Sequence, residues 1–115
     1  MRLRSTTGLH GRSVMPLSAW RGRFGRRYVV SVLVTGSVDA DDLCDAVVIQ
    51  VRRDGSGLAE LRGVSIVGDR VSARAFIGGL PAAVTELHAH RLAETDAERV
   101  AILADLGTVA PARRP

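Results

Sequence analysis

The sequence predicts a small α+β fold. A mostly antiparallel sheet opens with a β-hairpin and meander, then continues helix, strand, helix, with the helices on one face. Three observations point there. Residues 26–35 (RRYVVSVLVT) and 45–53 (DAVVIQVRR) are rich in β-branched side chains. "DGSG" at 54–57 is a strong hairpin signal. Thr95-Asp96-Ala97-Glu98 matches a capping box, in which Thr and Glu satisfy each other's free amides at a helix start.

The elements follow in order. Residues 1–15 are polar, glycine-containing and without period, which predicts a mobile basic arm. Met15 offers an alternative start of translation, in which case residues 1–14 are not made. A single domain is expected over 16–108, with 109–115 a polar tail. From Leu17, "LSAWRGRFGRRYVVSVLV" reads as two extended pieces joined at Phe24-Gly25, where glycine supplies the positive φ of a tight turn. Strands follow at 45–53 and, after the 54–57 turn, at 58–68, with Gly63 marking a bulge. Residues 70–82 fit a helix with Val71, Ala75, Phe76 and Leu80 on one face, or a strand in which Val71, Ala73, Ala75 and Ile77 alternate. Residues 85–92 carry the converse ambiguity. A fresh helix begins at Asp96 and runs to Gly107, a natural C′ residue, which favours helix at 70–82 and strand at 85–92.

Bulk properties bound the function classes. The chain has 115 residues, 46% of them apolar and 24% charged, enough for one modest core and unlike a disordered chain. The longest apolar stretch, Tyr28 to Val34, is about a third to a half of the ~20 residues a spanning helix needs, so no membrane partner is expected. Cys44 is the single cysteine, which rules out an intramolecular disulfide and suits a reducing, cytoplasmic setting. The N-terminal stretch lacks the apolar core of a secretory signal, and Gly8, Gly11 and Pro16 interrupt a transit-peptide helix.

Two likenesses stand beside this reading. The order of elements is similar to the first part of a ribonuclease H-like fold. The carboxylates such a nuclease needs are missing, since Thr35 follows the first long strand and Arg70 to Thr85 holds no acid. The segments "WRGRFGRRYVVSV" and "ELHAHRLAET" resemble those of small uncharacterised proteins from GC-rich α-proteobacteria. That resemblance spans residues 18–106, implies no activity, and supports the strand at 85–92. It accords with a bacterial chain whose sixteen basic residues are all arginine, so arginine identity alone says little about phosphate recognition.

Charge position says more. Residues 1–27 hold seven arginines and no acid, whereas the remaining 88 hold nine arginines and twelve acids. If strand 26–35 pairs antiparallel with 45–53, Arg26 and Arg27 meet Arg52 and Arg53, and the hairpin returns Arg21 and Arg23 to the same end. Asp39, Asp41, Asp42 and Asp45 then lie about 25–30 Å away, at ~3.3 Å per residue. Such a cluster persists where solvent screens it or a partner supplies anions. Trp20, Phe24 and Tyr28 recur every fourth residue among these arginines, a combination used for stacking on single-stranded nucleic acid. Anchoring onto the sheet is the alternative role, and the better one for Tyr28.

Other chemistry is weakly signalled. His88 and His90 share a strand face with Glu86, a spacing compatible with two ligands to one metal, but His10 is a poor further supplier. The 39–45 acids lack the glycine and terminal Glu of a calcium loop, "GDR" and "IGGLP" are not phosphate loops, and Cys44 beside carboxylates is a poor nucleophile. The expectation is a non-enzymatic binding domain without cofactor. Arg21, Arg23, Arg26, Arg27, Arg52 and Arg53 hold an anionic partner, nucleic acid before an acidic protein, while Trp20 and Phe24 stack. The alternatives are an assembly module that pairs through a sheet edge, with itself or another chain, and a metal-dependent enzyme around His88 and His90.

Overall fold

The computed structural model describes residues 16–107; the arm at 1–15 and the tail at 109–115 lie outside the described residues. The chain forms β1 (Leu17–Arg21), β2 (Arg27–Val34), β3 (Ala46–Arg53), β4 (Ala59–Val67), α1 (Arg70–Gly78), β5 (Glu86–His90) and α2 (Asp96–Gly107). The α+β class stands. The five strands make one antiparallel sheet in the order β1-β2-β5-β3-β4.

Local chemistry explains the boundaries. Gly25, at φ 89°, turns β1 into β2, and Gly57, at φ 87°, closes the turn from β3 to β4. Asp54 holds that second turn by accepting from the amides of Ser56 and Leu58. The β3–β4 register slips between Gln50 and Val51, where Gln50 faces Gly63 but Val51 faces Leu61, so the bulge falls beside the expected glycine. Residues 70–78 are helical, capped by Asp69, whose carboxylate accepts from the Ser72 amide at 2.8 Å. This helix ends short of residue 82 because Gly78-Gly79 and then Pro81 do not sustain it. At Thr95 the capping box forms in both directions: the Glu98 amide donates to Thr95 Oγ1 and the Thr95 amide to Glu98 Oε1.

The strand order departs from expectation. β5 inserts between β2 and β3, antiparallel to both, so β2 and β3 never pair and run parallel to each other. The reason is the eleven-residue connection, 35–45, which carries the chain from one end of the sheet to the other. A hairpin needs only two to five residues, whereas about a dozen suit a crossover. The meander expected from the strand and turn signals is thereby broken between β2 and β3.

The helices also lie on opposite faces of the sheet, not on one. Leu33, Val48, Leu87 and Ala89 pack with Ala73 of α1 and with Leu43 of the connection. Tyr28, Val30, Val47 and Ile49 pack with Ile102 and Leu106 of α2. Adjacent β3 residues point to opposite sides, and Val47, Val48 and Ile49 are all 0% exposed. A strand buried on both sides requires two covers.

Candidate anion-binding groove

The inserted β5 separates the two arginine groups. Val51, Glu86 and Val34 stand level across the sheet, with Arg27 seven residues along from Val34 and Arg53 two residues beyond Val51 in the opposite direction. At about 3.3 Å per residue that is roughly 30 Å. The expected union of Arg26 and Arg27 with Arg52 and Arg53 does not occur.

At the far end, Arg53 is consumed internally. Its Nε and Nη2 donate to the Glu86 carboxylate at 2.6 and 2.9 Å. Arg53 holds Glu86 down to about pKa 2, chiefly through these bonds. Arg52 lines a shallow recess with Asp54 and Glu60, an end of mixed sign. The acidic connection does not form an opposite pole either: it crosses under α1, where Asp41 pairs with Arg70 at 3.2 Å.

Glu86 leads on to His88, whose Nε2 lies 2.9 Å from Glu86 Oε1, while Trp20 Nε1 donates to His88 Nδ1 at 2.8 Å. Indole nitrogen only donates, so Nδ1 accepts and the proton sits on Nε2, directed at Glu86. Both nitrogens are engaged, which removes His88 as a metal ligand; among the described residues no group of three His, Cys, Asp or Glu converges on a metal position. Trp20 is likewise tied down as a half-buried anchor on the α2 face, opposite Tyr28 in the β1–β2 ladder, and is not a free stacking platform.

The other four arginines remain together around the turn between β1 and β2. The Gly22 amide donates to Arg26 O and the Gly25 amide to Gly22 O, which folds residues 22–26 tightly. Arg21 Nη1 donates to Gly25 O at 2.8 Å, and Arg23 sits over the Phe24 ring at 5.1 Å. None of Arg21, Arg23, Arg26 and Arg27 pairs with a carboxylate among the described residues. Phe24, at the tip, is 78% exposed.

The C-terminal end of α2 clamps this turn. Asp105, buried at 5%, accepts from Tyr28 Oη at 2.7 Å and from the Phe24 amide at 3.2 Å, and its carbonyl receives the Arg23 amide. Burial first, then the Asp105 hydrogen bond, raise the Tyr28 pKa. The carbonyl end of a helix is negative, so the arginine cluster sits in a favourable field. No sequence signal linked Asp105 to the turn, because 77 positions separate it from Tyr28.

Between the turn and α2 lies a groove of about 670 Å³. Arg23, Arg26 and Arg27 form one wall; Leu92, Ala101 and Ile102 form the other. His90 also lines it. Its Nδ1 is 2.8 Å from Val29 O, and its ring meets Tyr28 edge-on at 82°. No family model, curated protein or solved structure matches the chain.

Proposed function

We propose that the protein is a non-enzymatic domain that binds single-stranded nucleic acid at this groove, in a reducing compartment such as the cytoplasm. One observation carries the reading: three arginines with no carboxylate partner among the described residues rim an open groove beside an exposed aromatic ring. Guanidinium groups hold phosphate oxygens by charge-assisted hydrogen bonds, and a ring such as Phe24 stacks on any base. Arg21 supports the turn through Gly25 O. Arg52, Arg53 and Trp20 take no part.

Fluorescence anisotropy with a labelled single strand, across a salt series, tests this. Each phosphate contact on a single strand contributes a log–log salt slope of about −0.7, so the Arg23→Ala/Arg26→Ala/Arg27→Ala variant should lose about two units of slope and most of its affinity. Arg52→Ala should bind as wild type does. The reading fails if wild type does not bind, or if the triple variant binds equally well. A partner held with no salt dependence would indicate a protein interface instead.

A further inference from the structure

We infer that the groove admits one nucleobase and reads its amino edge through His90, an inference that rests on the proposed nucleic-acid binding. His90 is only 6% exposed. Its Nδ1 faces a backbone carbonyl, which can only accept, so Nδ1 carries the proton and Nε2 of the neutral ring presents a lone pair. That lone pair has no partner among the described residues, whereas buried polar atoms are as a rule hydrogen-bonded. The position arises from the sheet itself. The β2–β5 ladder stops at Ser31–Ala89, and the His90 ring takes the Val29 carbonyl just beyond it.

The inner lining decides which part of a nucleotide enters. Besides His90 and the three arginines, the polar residues lining the groove are Glu98, Asp105 and Tyr28. Glu98 accepts from the Glu94 and Thr95 amides, and Asp105 from the Phe24 amide and Tyr28. Anionic oxygens disfavour a phosphate beside Glu98 and Asp105, so phosphates belong with the arginines. A neutral, flat group with donor hydrogens fits beside His90, against exposed Leu92 and buried Ile102. Cytosine and adenine carry such donors as N4 and N6 amines, whereas thymine offers acceptors and a methyl group in the same place. The volume falls within the roughly 300–1,000 Å³ usual for ligand pockets.

The test compares oligodeoxycytidine, oligothymidine and an abasic strand of equal length at pH 7.5. Wild type should bind the cytidine strand about fivefold more tightly than the thymidine strand, and the abasic strand weakest. In His90→Asn the side-chain amide still donates to Val29 O but Nε2 is gone; cytidine affinity should fall to the thymidine level with abasic binding unchanged. Should His90→Asn fold poorly, Ala101→Leu narrows the groove from an exposed helix position and should give the same collapse. Equal binding of all three strands, still dependent on Arg23, Arg26 and Arg27, overturns the base pocket and leaves the proposed function standing. No binding of any strand overturns both.

Discussion

His88 is held neutral from two sides. Burial lowers its pKa most, with Arg53 adding to the effect, while the hydrogen bond and charge of Glu86 pull the other way. Protonation would also set an Nδ1 proton against the Trp20 N–H. The folded pKa therefore lies below the unfolded value near 6.5, so the neutral ring's contribution is complete above that pH. It is lost as pH falls from about 6.5 toward the folded pKa, at no more than about 1.4 kcal/mol per pH unit for one proton. The contribution of Glu86, whose pKa is also depressed, is complete above about 4.5 and lost as pH falls toward about 2. Denaturant unfolding at pH 7.5, 6.5 and 5.5 should show a decline for wild type and a flatter profile for His88→Gln; parallel profiles would refute the assignment. The sequence disclosed part of this chain of contacts. Spacing of two placed Glu86, His88 and His90 on one face, but Trp20 is 68 positions from His88 and Arg53 is 33 from Glu86. Such partners exist only once strand order is known.

Among the elements, α2 and the β1–β2 turn depend on each other through a narrow fit. A Cβ built on Gly22 would run into the Asp105 carboxylate. Gly22→Ala should therefore push Asp105 off the Phe24 amide and Tyr28 Oη, costing roughly 1–3 kcal/mol for the buried groups left unpaired. Gly55→Ala, with open space at its Cβ, should fall within about 0.5 kcal/mol of wild type. Urea denaturation of both variants measures the difference, and equal midpoints would remove Asp105 as a clamp. Individual elements were largely legible: the Thr95–Glu98 box, the 54–57 turn and the Gly63 bulge each rest on chemistry confined to a few neighbours. So were two pairings, β1 with β2 and β3 with β4; the insertion of β5 between β2 and β3 was not. Two clues lay in the sequence, though, an eleven-residue connection too long for a hairpin and the unbroken run Ala46 to Ile49, which suits a strand covered on both sides.

For the molecule as a whole, strand order decides how charge is distributed. Placing 26–35 beside 45–53 gathers six arginines at one end; inserting β5 leaves four there and sends two to an end where Glu86 neutralises one of them. The candidate site was thus half legible, in the hairpin arginines and Phe24, while Asp105 and the α2 wall of the groove come from the far end of the chain. The same insertion governs assembly. Residues 17–34 and 46–67 can each form a two-stranded ribbon as they leave the ribosome, yet the strand that joins the ribbons is made last. Isolated hairpins are marginal in water, so a nascent chain remains two loose ribbons until His90 has emerged. A fragment ending at residue 84 should accordingly show no cooperative thermal transition by circular dichroism, and a sharp one would mean the ribbons associate unaided. Premature termination anywhere before the final strand then yields an unfinished chain with open strand edges, a natural substrate for chaperones and proteases.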